Sequence, residues 1–215
     1  MYSWKVKSVM IAMVFLMTVG FAVLIIQPFI GGGLNSGDPN KATRQIIDEA
    51  RAVLHKNNCE KGMRPGAERN RCKSALLDMG SGYSTLAAPD PTTNTAPAGA
   101  KRYQAKALES LLLLYAIDPT DKRSVEQLAR EYMVQNKSKD AVPLYRSLAK
   151  KYPAETDYML AWGQSAQAAN QMDEAKRIYR SIIATTPDDA NADIARDALK
   201  QIKDQASQGN NISLG

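Results

Sequence analysis

Reactive side chains are few in this chain. His55 is its one histidine, and Cys59 and Cys72 are its two cysteines. A serine or cysteine nucleophile needs an imidazole or comparable base beside it, and His55 stands next to Lys56 with no convincing partner in the sequence. The cysteines lack the C-x-x-C spacing of thiol exchange and the C-x-x-C-H of haem attachment. Together with His55 they leave a tetrahedral zinc site one ligand short. Gly31-Gly32-Gly33 is not followed by the Lys-Ser/Thr of a phosphate loop. The carboxylates mostly neighbour basic residues at helical spacing, which is the pattern of surface pairing. The sequence therefore predicts no catalytic residue, no metal, no cofactor and no small-molecule substrate: the chain is read as a non-enzyme.

Chemistry of a different kind is open to the cysteines. They enclose EKGMRPGAERNR between two helical patterns, and an even pair in an oxidising compartment is most simply one disulfide. Closing a loop of this size contributes about 2–4 kcal/mol. The compartment follows from the N-terminus. Val9 to Ile26 is eighteen residues without a charge, and the uncharged stretch continues through Ile30. Such a run is long enough to cross a bilayer. Lys5 and Lys7 precede it and no positive charge follows until Lys41, so the N-terminus is expected in the cytoplasm and the remainder outside. A cleavable signal peptide has a shorter apolar region and a small-x-small site, whereas this run ends IIQPFIGGG. Residues 1–30 are thus expected to be a cytoplasmic stub and uncleaved single-pass anchor in the plasma (inner) membrane, with residues 31–40 as a flexible linker.

The rest of the chain reads as helix. From Lys41 to Asn57, Ile46, Ile47, Ala50, Val53 and Leu54 recur on one face. Further on, one frame appears three times. Ala107, Ala141 and Ala175 are 34 residues apart, and so are Leu111, Tyr145 and Tyr179, then Leu114, Leu148 and Ile182, then Pro119, Pro153 and Pro187. A small residue, a large one four later and a closing proline at a fixed period mark a repeated helix-turn-helix unit. Leu128-Ala129 and Trp162-Gly163 supply a large-small pair for the first helix of two units. Met79-Gly80 supplies it for the earliest, but 49 residues upstream of Leu128-Ala129 instead of 34. The excess corresponds closely to the proline-rich stretch AAPDPTTNTAPAGA, residues 87–100, which is expected to be a disordered insert between two helices. A last apolar face, Ile194, Ala195, Ala198, Leu199 and Ile202, suits a capping helix.

These residues resemble the tetratricopeptide-repeat (TPR) family. Residues 156–189 match its pattern with Trp162, Gly163, Ala175, Tyr179 and Pro187, and residues 122–155 with Leu128, Ala129, Tyr132, Ala141, Tyr145 and Pro153. The family's early tryptophan is missing, with Val125 and Met159 in its place. Asn136 and Asn170 replace the usual turn glycine, a mild change because Asn tolerates the left-handed conformation. With the transmembrane helix and a hairpin over 41–72 read from the residues, the resemblance implies an all-α fold whose main part is a TPR-type solenoid of about three repeats at 73–121, 122–155 and 156–189. A capping helix at 190–206 and a disordered tail at 207–215 complete it. It also implies a concave groove, lined by the first helices, that holds a peptide or partner helix. Mapped by frame, the groove falls on Ser74, Leu77 and Ser81; on Arg123, Glu126, Arg130 and Met133; and on Asp157, Leu160, Gln164 and Gln167. Members that clasp a C-terminal carboxylate use Lys and Asn where this chain has Leu77 and Ser81, so that clamp is absent.

The net charge of +6 is spread among acidic residues and does not point to nucleic acid. The chain looks like bacterial single-span TPR proteins that assist the secretion translocon or cytochrome c maturation. The expected function is a non-catalytic, membrane-anchored scaffold with a periplasmic repeat domain, binding other envelope or membrane proteins during assembly or quality control. A structural accessory subunit of a larger membrane complex is the second reading. Protease added to spheroplasts is expected to digest residues 41–206, and their protection would reverse the orientation.

Overall fold

The computed structural model describes residues 38–57, 59 and 66–212. The apolar run at 9–26 and the anchor expected at 1–30 lie outside them. Among the described residues no helix is long and apolar enough to cross a membrane. The described residues are all-helical: α1 (Lys41–Lys56), α2 (Ala67–Ala87), α3 (Ala100–Ile117), α4 (Lys122–Val134), α5 (Ser138–Lys151), α6 (Thr156–Ala168), α7 (Met172–Thr185) and α8 (Ala190–Ile212). Each packs on the next in chain order, joined mostly by turns too short for anything but antiparallel neighbours. Helices α2, α4 and α6 form a row of first helices, and α3, α5 and α7 a row of second helices.

The repeat frame shows most clearly in burial. Ala107, Ala141 and Ala175 are fully buried, and Leu111, Tyr145, Tyr179, Leu114, Leu148 and Ile182 lie in the core. The large residue of each second helix sits over the small residue of the first. A Cβ added to Gly163 would lie 2.6 Å from Tyr179 Cε1, and one added to Gly80 would lie 2.7 Å from Leu111. Only glycine lets those helices close to this distance. Ala129, fully buried, takes the corresponding place in the middle repeat. Gly82 does the same for α1, where an added Cβ would lie 2.8 Å from Ile47 Cγ1.

The turns follow the same period. Asn136 and Asn170 have φ of 57° and 61°. The N–H after each bonds back to the carbonyl five residues earlier, Lys137 to Tyr132 at 2.8 Å and Gln171 to Ala166 at 2.8 Å. This is a Schellman closure with Asn in glycine's usual place. Each second helix stops just before its X-Pro step, since the residue preceding proline is pushed out of helical backbone.

Several details differ from the sequence reading. Ile46 is 45 % exposed while Ile47 and Ala50 carry the buried face of α1, and Ile194 is 39 % exposed while Ala192 is fully buried in α8. In both helices the buried stripe is narrower than the run of apolar residues. Helix α8 runs to Ile212, past the expected end at 206 and into the segment expected to be a disordered tail. The expected disordered insert is a hydrogen-bonded connector. The Asp90 carboxylate accepts the N–H groups of Thr92 (2.7 Å) and Thr93 (3.1 Å), its carbonyl accepts from Asn94 at 2.8 Å, and its N–H donates to the Thr95 carbonyl at 3.0 Å. An Asx turn of this kind satisfies backbone that proline prevents from being helical.

Placing a side chain at Gly163 is expected to force Tyr179 out of register. Gly163→Leu should destabilise by about 1–3 kcal/mol or more, whereas Gln164→Ala, at the exposed neighbour, should stay within about 0.5 kcal/mol. Thermal melts by circular dichroism read both; equal melting points would mean that the glycine is not a contact point.

Candidate binding groove between the first helices

Four of the expected groove residues come together. Ser74 and Leu77 of α2 face Arg123 and Glu126 of α4 across an open cleft of about 590 Å³, which Lys73 and Asp121 also line. The cleft lies between two fastenings, one joining α2 to α4 and one joining α2 to the α3–α4 turn. At one end Glu131, buried to 2 % exposure, accepts hydrogen bonds from Ser84 Oγ at 2.6 Å and Gln135 Nε2 at 2.7 Å. These two donors supply what a buried carboxylate requires. At the other end Lys73 bridges Asp118 at 3.0 Å and Asp121 at 3.2 Å, and Arg69 donates to the Ile117 carbonyl. Two cations from α2 therefore clasp the C-terminal turn of α3, where the helix dipole favours positive charge.

The two arginines of the expected groove differ. Arg130 is exposed and its Nη2 donates to Glu126 at 2.7 Å. Glu126 also accepts from the Tyr158 hydroxyl of α6 at 3.0 Å. The charge of Arg123 acts on Asp78 of α2, and it is exposed without a hydrogen bond to any described residue. Burial pushes the Asp78 carboxyl up, opposed by Arg123 and by Ser74. The Tyr158 hydroxyl is pushed up to about 12 by burial and by its bond to Glu126.

Other expected groove residues are occupied elsewhere. Leu160 is a core residue, 8 % exposed, because α6 turns that face inward. Gln167 accepts the Tyr179 hydroxyl at 2.9 Å, so it serves the core aromatic. Met133 packs half-buried against the core. Asp157 accepts from Asn191 at 2.8 Å. Gln164 and Ser81 are exposed.

The structure adds a ladder that the sequence reading missed. The opening residue of each first-helix frame bonds to the acidic residue that precedes the next first helix or the cap: Lys73 to Asp121, Lys122 to Glu155 at 2.6 Å, and Thr156 to Asp189 at 2.9 Å. Asp121, Glu155 and Asp189 are 34 apart, and Lys73, Lys122 and Thr156 follow the same steps of 49 and 34 as the small residues. That shared spacing was the available signal. Asp121 also caps α4, accepting the Ser124 N–H at 2.9 Å and its hydroxyl at 2.7 Å. Away from the groove, Glu174 accepts from Trp162 Nε1 at 2.9 Å and from Arg146 at 2.6 Å. The Arg146 and Arg177 guanidiniums both lie 5.4 Å from the Trp162 ring.

Elsewhere, Cys59 and Cys72 form a disulfide with their Cα atoms 5.8 Å apart, tying the end of α1 to α2. His55 is exposed on α1.

The Lys73 bridge makes the fold acid-sensitive. Hydrogen bonds from Lys73 and then Thr120 hold the Asp118 carboxyl down at about 2. A carboxyl depressed in the folded state stabilises above its unfolded value of about 4 and loses that contribution as pH falls towards 2. Urea midpoints are expected to fall over this window, and Lys73→Met should flatten that part of the profile. An unchanged slope would remove the bridge from the account of acid stability.

No protein-family model matches this chain, and no curated protein sequence matches it. Solved structures with a similar course include the MamA RS-1 ArsTM double mutant, at 12 % identity and a TM-score of 0.45, covering 81 % of this chain and 98 % of that one. MamA AMB-1 C2221 is similar at 14 % identity and a TM-score of 0.42, covering 80 % and 96 %. Neither likeness bears on function.

Proposed function

We propose that the chain is a non-catalytic protein-binding scaffold of TPR type, anchored at the cell envelope through residues 9–30, whose first-helix groove takes an extended or helical protein segment carrying an acidic group. The observation that carries this reading is the cleft between α2 and α4. It is open, it has a half-buried Leu77 on its wall, and Arg123 lines it with no hydrogen-bonded partner among the described residues. Arg130 adds a second guanidinium that is available at low cost: a partner carboxylate can displace Glu126 from Arg130 while Glu126 keeps Tyr158. Charge-assisted bonds of this kind supply affinity and orientation, and the apolar wall supplies burial. Support for the membrane setting comes from the uncharged N-terminal run and from a disulfide suited to an oxidising compartment. Assembly or quality control of envelope proteins is the role such a scaffold would serve.

Crosslinking pull-down from native membranes tests the groove. Arg123→Ala combined with Arg130→Ala is expected to reduce partner capture about tenfold, from the loss of charge-assisted bonds, without altering helix content. Capture by the parent protein should weaken as salt rises. Lys200→Ala with Lys203→Ala, on the cap, should leave capture unchanged. Equal capture by both double variants would place the binding surface elsewhere.

A further inference from the structure

The positive charge of the repeats is not shared evenly between the two rows. Among second helices, α3 carries three basic residues against one acidic, α5 four against one, and α7 three against two, which makes ten against four. Among first helices, α2 and α4 each carry three against two and α6 carries none against one, which makes six against five. The same second-helix row exposes large apolar groups. Leu112 and Leu113 of α3 are 41 % and 47 % exposed, and with Leu108 they line a shallow depression flanked by Lys101 and Lys137.

We infer that this row is a docking face for an anionic phospholipid surface. The inference rests on the reading of residues 9–30 as a membrane anchor. Lysine and arginine around exposed leucines are what an interfacial surface presents to acidic headgroups. The charge is spread over three helices. A cleft on this row lined by Arg146, Lys150 and Arg177 already commits Arg146 and Arg177 to Trp162 and Glu174. A diffuse anionic surface suits that distribution better than a peptide, which needs converging donors. The tether is short as well: residues 31–38 separate the apolar run from the described domain, at most about 28 Å of extended chain. Attraction to a charged surface falls off within about 8–10 Å, so the row has to lie against the headgroups for its charge to count. Docked by its second helices, the domain turns its first-helix groove away from the lipid.

Lysine acetylation footprinting of the full chain in proteoliposomes tests this. Vesicles of phosphatidylcholine alone are compared with vesicles that also contain phosphatidylglycerol. Lys101, Lys139 and Lys150 are expected to be acetylated severalfold more slowly on the phosphatidylglycerol vesicles, with the protection lost in raised salt. Lys200 and Lys203 of α8 should react equally on both. Lys150→Glu with Arg180→Glu should restore acetylation at Lys101 and Lys139. Equal acetylation in both vesicles, with the chain retained after alkaline carbonate washing, overturns the docking face and leaves the anchor standing. Equal protection of the cap lysines also overturns it, as adsorption without a face. If carbonate strips the chain from both vesicles, the anchor reading fails instead. Flotation of the stripped chain with phosphatidylglycerol vesicles then upholds the basic face, and its failure to float overturns it.

Discussion

Close approach between the two helices of each repeat is the constraint on which this molecule depends. Gly163 under Tyr179 and Gly80 under Leu111 leave no room for a methyl group, so the distance between first and second helix is set by the absence of a side chain. Large residues stacked at the same place in every unit then fill the strip between the rows. A solenoid has no single central core, and its stability is the sum of such unit contacts and the junctions between units.

The junctions are polar where the units are apolar. The Lys73–Asp121, Lys122–Glu155 and Thr156–Asp189 rungs fix where one first helix stands against the next. They leave the middle of α2 and α4 unjoined, and that gap is the candidate groove. The groove is therefore a by-product of spacing: two helices are fastened at one end by Lys73 and at the other by Glu131, with Leu77 and Arg123 facing each other between.

Much of this was legible in the sequence because a repeat states its own geometry more than once. The alanines, the large residues four later and the asparagine turns each recur at 34, and each occupies the environment its type requires. What was not legible depended on rotation about a helix axis. Leu160 and Gln167 share the groove's register but face the core, and Ile46 shares the apolar run of α1 but faces outward. A rotation of less than one residue separates these outcomes, and periodicity does not resolve it. The connector at 88–99 was misjudged because its order comes from Asp90 acting as an acceptor for backbone N–H groups, which composition does not reveal. The expected anchor at 1–30 falls outside the described residues.

The three rungs are chemically unequal, and this gives the stack a graded stiffness. Lys73 is 20 % exposed and its partners are about a third exposed or less, Lys122 and Glu155 are 40 % and 44 % exposed, and the last rung is a neutral hydroxyl on a carboxylate. Dissolved ions weaken exposed ion pairs most. The junction between the second and third repeats is accordingly the one whose rigidity is set by the medium. The Lys73 rung, more buried, and the neutral Thr156 rung feel dissolved ions less, so salt loosens the polar fastenings of the stack unequally.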